Sequence, residues 1–334
     1  MRAARLHGIE DIRVEDVPAP PPPGPGQVAI AVEAAGICGS DLHNYRTGQW
    51  FAHLPVTPGH EFAGRVAAVG PGVAGLREGD RVVADSRVSC GVCQACRDGR
   101  PNACAAIGFV GEVCDGGFAP LAVLPASAVL KVEGALAPEI AALSEPLGVA
   151  LHTLARLGPE RDRPILIAGA GPIGGLCAIA AAGQGYGPLF VVDRNGERRD
   201  LVCRLSGATP LALEAEAVAE AIPGGPALAI EATGSGAVVE ALAGVMAAGG
   251  RMALVGLFHG TQAVDLNRVV ERELTLTGAS VYTDEQARAL DLLPDLADRL
   301  APALSTGHGI EAVPDLYAEL IGGRAGYLKA VLSP

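Results

Sequence analysis

Apolar and polar positions change rhythm near the middle of the chain. Over the first 150 residues short alternating runs prevail, as at Val28, Ile30 and Val32, and turn residues bound them. A period of two puts one set of side chains on one face of a strand, so this half predicts β structure. The proline-rich stretch from Pro18 to Pro25 reads as a surface connection, because proline fixes its torsion and offers no amide to a sheet. From Pro164 apolar strands alternate with alanine-rich helical segments: Ile165 to Ala168, a helix to about Ala182, then Leu189 to Val192. The pattern continues through Leu228 to Ile230, a helical run from Ala237 to Ala248, Met252 to Val255, and Leu274 to Leu276. This is βαβ texture and predicts a parallel sheet in an α/β protein. Beyond Gly278 the chain reads as helical over Glu285 to Leu300, and Gly322 to Ser333 could return as a strand to the first domain. No internal repeat is visible.

Length supports two domains, since 334 residues exceed what one core usually serves. Hydrophobic residues at 49% against 19% charged supply apolar surface for packed cores. The net charge of -12 argues against a general nucleic-acid or anionic-membrane surface. No apolar stretch of signal-peptide length follows Met1 to Glu10, and no eighteen apolar residues run uninterrupted, so a cytoplasmic location is expected. Only two lysines occur, Lys131 and Lys329, and neither has a tyrosine four residues before it. The Tyr-x-x-x-Lys pair of short-chain dehydrogenases is therefore missing.

Gly169, Gly171 and Gly174 form a G-x-G-x-x-G turn, with Pro172 and Ile173 inside it, directly after an apolar strand and at the start of a helix. That context specifies dinucleotide binding: glycine lets a pyrophosphate approach the backbone, and the helix N-terminus receives its charge. Asp193 follows the next strand, where a carboxylate accepts from ribose hydroxyls and repels a 2′-phosphate. Arg194, Arg198 and Arg199 nearby could attract that phosphate, and the balance favours NAD over NADP. Thr233 with Gly234, and Val255 with Gly256, lie at strand ends where α/β sheets present backbone to ligands, and are expected as secondary cofactor contacts.

Two cysteine patterns point to metal. Cys90, Cys93, Cys96 and Cys104 stand in C-x2-C-x2-C-x7-C order in a polar loop. Four thiolates close a tetrahedral zinc shell and leave no position for substrate, so this site is expected to be structural. The second set is dispersed: Cys38 in Gly-Ile-Cys-Gly-Ser-Asp-Leu-His, His60 in Gly-His-Glu, and Glu145 in Ser-Glu-Pro-Leu. A thiolate, an imidazole and a carboxylate suit zinc with one position left open, although spacing alone does not bring them together.

With Pro58-Gly59-His60-Glu61, Gly79-Asp80-Arg81-Val82 and the glycine turn in the same order, the chain resembles the zinc-containing branch of the medium-chain dehydrogenase/reductase family, over essentially its whole length. The style is that of sorbitol and threonine dehydrogenases. The resemblance implies a GroES-like β-rich catalytic domain over 1–148 with the zinc lobe at 88–106, a Rossmann domain over 149–278, and a return to the catalytic domain over 279–334. It implies catalytic zinc on Cys38 and His60, with Glu145 as third ligand and Glu61 as its alternate. Ser40 and His43 are similar to the family's proton relay, and Asp41 is expected to orient His60. Two zinc ions per chain, NAD, a small alcohol substrate and a homotetramer or homodimer follow from the same likeness. The expected reaction is hydride transfer from a secondary alcohol, most plainly a polyol or sugar alcohol. L-Threonine, a vicinal diol or acyloin, and a sugar acid are the alternatives. Tyr45, Trp50 and Phe51 could wall the pocket. Where polyol enzymes of the family often carry an arginine, the stretch Gly278 to Asp284 has none, which argues against sorbitol itself. A non-catalytic nucleotide- or zinc-binding relative is the reading of another class, and intact ligand motifs stand against it.

Overall fold

The computed structural model describes residues 1–323 and 325–334. It contains two compact units, one of Met1–Glu145 with Gln286–Ala297 and Ala301–Pro334, the other of Pro146–Glu285 with Asp298–Leu300.

The first unit is built on a seven-stranded sheet in the order Leu304–His308, Lys329–Leu332, Gln27–Gly36, Glu61–Val69, Arg81–Ala84, Val129–Lys131, with Leu121–Pro125 also pairing Gln27–Gly36. Alternation of apolar residues along Gln27–Gly36 buries Val28, Ile30 and Val32 against Phe62, Phe118 and Leu124. Among the described residues of the expected C-terminal strand Gly322 to Ser333, Lys329–Leu332 is a strand, and it pairs antiparallel with Gly36 and Ala35; Arg324 lies outside the described residues. Gly36 stands opposite Glu61 across the neighbouring pair. A Cβ on Gly36 would fall 2.3 Å from Glu61 Oε2, so the missing side chain leaves room for that carboxylate.

The second unit carries a six-stranded parallel sheet in the order Thr209–Pro210, Leu189–Val192, Ile165–Ala168, Leu228–Glu231, Arg251–Leu254, Thr275–Gly278. Helices follow the strands, and the chain direction across the sheet reverses between Ile165–Ala168 and Leu228–Glu231, which opens a ligand crevice at the strands' carboxyl ends. The helical run expected from Ala237 to Ala248 is Gly236–Val245. It stops early because Met246 is extended and Gly249 turns left-handed at φ 72°.

Candidate functional site

Cys38 precedes the helix Gly39–Thr47, and its backbone amide donates to Asp41 Oδ2 at 2.9 Å. His60 and Glu61 come from the entry to the strand Glu61–Val69, after a turn in which Gly59 has φ 95°. A Cβ on Gly59 would lie 2.4 Å from the Phe118 ring, so both torsion and packing require glycine there. The fold thus brings two segments together, and ligand atoms of Cys38, His60 and Glu61 lie within 4.8 Å of one another.

Each neighbour of this cluster has a definable effect. The His60 ring is flanked by Asp41 Oδ1, 3.5 Å from Nδ1, and by Ser40 Oγ, 3.3 Å from Nε2. Glu61 is buried, and its Oε1 accepts from Lys329 Nζ at 2.6 Å. Lys329 also donates to the Ile37 carbonyl at 3.2 Å. Burial pulls its pKa down most strongly, but the charge and hydrogen bond of Glu61 together with the charges of Cys38 and Glu145 outweigh burial and raise it. Glu61 Oε2, by contrast, is buried with no hydrogen-bond partner. A buried carboxylate oxygen left unpaired beside a thiol and an imidazole is the donor set a zinc ion would satisfy, so these residues fit the metal.

Glu145 opens the helix Ser144–Leu157 and accepts from Ser86 Oγ at 2.7 Å. Its oxygens fall outside the 4.8 Å set formed by Cys38, His60 and Glu61. Burial raises its pKa to about 7, opposed by the positive charge of His60. His43 is buried, donates from Nε2 to Gln49 Oε1 at 2.8 Å, and packs tilted against the Trp50 ring with centroids 4.5 Å apart. Tyr45, partly buried, packs edge-on against Tyr317 with ring centres 5.3 Å apart.

The four cysteines of the polar loop also converge, with Sγ atoms within 4.8 Å of one another. Strands Arg87–Val88 and Gly108–Phe109 pair at the base of the loop, and a short helix Gln94–Arg97 shapes it. Sulfur separations of 3.4 Å for Cys90 to Cys104 and 3.6 Å for Cys93 to Cys96 far exceed the roughly 2 Å of a disulfide. Backbone amides of Cys90 and Ala106 point at Cys104 Sγ at 3.3 and 3.4 Å. Amides of Ala105 and Cys96 bring the Cys93 thiol down to about 6. Amides aimed at sulfur favour thiolate, the form that binds zinc.

In the second unit the glycine turn lines a cavity of about 610 Å³, together with Asp193, Arg194, Arg198, Arg199 and Thr233. Gly169 has φ 102°, and a Cβ on Gly174 would sit 1.8 Å from the Gly169 carbonyl. Asp193 does more than the sequence suggests: Oδ2 accepts from the Ala170 amide at 2.6 Å and Oδ1 from the Asn195 amide at 2.7 Å. The carboxylate therefore ties the glycine turn to the end of the second strand. Arg198 adds contacts of 3.1 and 3.2 Å to its two oxygens. Gly171 caps the helix Pro172–Gly183, and Ile173 and the buried Gly174 lie in its first turn. Val255 and Gly256 are not in the cavity lining; their amides donate to the Glu231 carbonyl at 2.9 and 3.1 Å. No helix among the described residues is long and apolar enough to cross a membrane.

Ser86 and Lys329 hold the two carboxylates of the site, and neither role is visible in local sequence. The rarity of lysine was the one available signal for Lys329.

A metal-ligand cluster in a β-rich unit and a dinucleotide crevice in a parallel α/β unit define a zinc-dependent oxidoreductase. Residues 24–134 match the family model for the alcohol dehydrogenase GroES-like domain, and residues 172–295 that for zinc-binding dehydrogenases. The chain is 35% identical over 288 residues to L-threonine 3-dehydrogenase of Pyrococcus abyssi, covering 83% of this chain and 81% of that one. It is 29% identical to sorbitol dehydrogenase of Bacillus subtilis, over 100% of this chain and 97% of the relative. A zinc-binding dehydrogenase of Sinorhizobium meliloti, solved with NADP, superposes with a TM-score of 0.92 at 30% identity, covering 100% of this chain and 99% of the other. The chain belongs to the zinc-containing medium-chain alcohol dehydrogenase family, and it is an alcohol dehydrogenase using zinc and a nicotinamide dinucleotide.

Proposed function

We propose that the protein oxidises a secondary alcohol with neighbouring hydroxyls, a polyol or sugar alcohol, to the ketone with NAD. The convergence of half-buried Cys38 with buried His60 and Glu61 carries this reading. Cys38 and His60 would hold the catalytic zinc, with Glu145 as third ligand and Glu61 as its alternate; the proximity of Glu61 to both supports the alternate. When bound, zinc acts as a Lewis acid that makes the alcohol easier to ionise, and the nicotinamide takes up the hydride. Ser40 Oγ, beside the His60 ring, takes up the released proton as its own hydroxyl proton passes by way of the cofactor ribose to His43, which hands it outward. Asp41 fixes the imidazole, and the four-cysteine loop holds a structural zinc. Gly169, Gly171, Pro172, Ile173 and Gly174 cradle the pyrophosphate; Asp193 favours NAD, with Arg194, Arg198, Thr233, Val255 and Gly256 around the remainder of the cofactor.

The domain limits 1–148, 149–278 and 279–334, a cytoplasmic location and a homotetramer or homodimer belong to the same reading. L-Threonine is the second candidate, favoured by the identity to the Pyrococcus enzyme and by the missing arginine between Gly278 and Asp284. The test is reduced-cofactor formation with NAD or NADP over polyols, diols, simple secondary alcohols, sugar acids and L-threonine, with and without chelator. Chelator-sensitive NAD reduction by one group supports the reading and names its substrate class. Turnover that survives complete zinc removal refutes it.

A further inference from the structure

Among the described residues, every buried carboxylate of the first unit but one has a partner. Glu61 meets Lys329, Glu145 meets Ser86, Asp41 takes the Cys38 amide, and Asp80 lies against Lys131. Glu112 is 8% exposed, and its carboxylate makes no hydrogen bond or ion pair. Its oxygens keep a little contact with solvent, so a largely buried carboxylate with no partner in the fold has acceptor positions free for a ligand.

Its position says which ligand. The backbone of the turn is held firmly: the Val110 amide donates to the Ser86 carbonyl at 2.9 Å, Gly111 to Cys114 at 2.8 Å, and Glu112 to Phe109 at 3.0 Å. Gly111 is pressed onto the residues just before His60, where a Cβ would lie 2.8 Å from the Gly59 amide nitrogen. The turn is therefore wedged between the backbone that carries His60 and the serine that holds Glu145. From there Glu112 feels the charges of His60 and Asp41, and burial raises its pKa to about 7 against the pull of His60.

We propose that Glu112 is a specificity-determining residue of the alcohol site, accepting a hydrogen bond from a donor on the carbon next to the one oxidised. The donor is the neighbouring hydroxyl of a diol or polyol, or the ammonium of a β-hydroxy amino acid. This inference rests on the reading of the Cys38 and His60 cluster as the alcohol site. A neighbouring carboxylate or phosphate would be repelled, which sets sugar acids last among the candidate substrates.

The test compares wild type, Glu112→Leu and Glu112→Gln on 2,3-butanediol, 2-butanol and L-threonine, all with zinc-loaded protein and NAD. The first two substrates differ by one hydroxyl. Loss of a charge-assisted hydrogen bond in Glu112→Leu should lower the diol-to-monoalcohol ratio of kcat/KM by about 10- to 100-fold. Glu112→Gln, which keeps an acceptor, should preserve the diol preference. If ammonium is the donor, it should lose L-threonine. An unchanged ratio in Glu112→Leu overturns the proposal while leaving the site reading intact. Calorimetric binding of 2,3-butanediol to the zinc-loaded protein without NAD reads the same contact apart from turnover. Weaker binding in Glu112→Leu supports it; equal binding, or no binding by wild type, refutes it. Failure of wild type to oxidise any secondary alcohol would instead count against the site reading. Both variants should melt at or above the wild-type temperature, because an unpaired buried carboxylate is removed. A fall of more than about 5 °C would reveal a structural role and overturn the proposal.

Discussion

Lys329→Met is the most exacting perturbation of the site. Lys329 and Glu61 are 3% and 0% exposed at their side chains, and Nζ lies 2.6 Å from Oε1. Removing the cation strands two groups: the Glu61 carboxylate, whose other oxygen already lacks a partner, and the Ile37 carbonyl. Breaking a buried pair by deleting one member costs about 3–5 kcal/mol, most of it the uncompensated charge left behind. At roughly 2–4 °C per kcal/mol for a domain of 150–250 residues, the unfolding of the first unit should move down by about 6–20 °C. Methionine fills similar volume, so little of this loss is packing. Differential scanning calorimetry of chelator-treated wild type and variant measures the shift. The double variant Lys329→Met with Glu61→Gln should recover more than half of it, since no charge then remains unpaired. A shift below about 2 °C in the single variant, or no recovery in the double, would refute the claim that this pair is energetically coupled in the fold.

Further outcomes follow from the same geometry. Cys93→Ser should reduce zinc from two ions to one per chain by elemental analysis and lower stability; a stable protein that keeps both would contradict the structural site. Cys38→Ser should cut turnover by at least about a thousandfold with the fold retained by circular dichroism, and substantial activity would remove zinc from the mechanism. Asp193→Ser should shift the ratio of NAD to NADP affinity toward NADP, and should also loosen the glycine turn by freeing the Ala170 amide; an unchanged ratio by cofactor titration would exclude Asp193 as the discriminating residue. Glu285 gives a pH signature. Burial opposes its charge, but the His152 ring at 3.0 Å and the Thr283 amide outweigh burial and lower its pKa from 4.5 to about 2. A depressed folded pKa stabilises above the unfolded value and is lost as pH falls through the folded one, so about 1–2 kcal/mol after solvent screening should fade between pH 4.5 and 2. Urea titrations of Glu285→Gln should show a deficit at pH 7 that narrows over that window, and a constant deficit would refute the assignment.

What the sequence determined by itself was whatever acts over a few residues. The period-two runs specified the β-rich half, the βαβ rhythm specified strands at Ile165–Ala168 and Leu189–Val192, and the glycine turn specified a phosphate-sized backbone. The four cysteines were legible for the same reason: ligands 3 to 14 residues apart meet within one loop whatever the remainder of the chain does. Only the tertiary structure decided the catalytic cluster. Cys38 and His60 are brought together by a helix start and a strand start, a carboxylate oxygen of Glu61 lies within 4.8 Å of both, and Glu145 accepts from Ser86. Lys329 reaches Glu61 across 268 residues because Lys329–Leu332 pairs beside Gly36, a register no local pattern encodes. Glu112 carries no motif, and its significance lies in the partner it lacks. A missing contact is a property of the packed surroundings, written in many distant residues at once and in none of them alone.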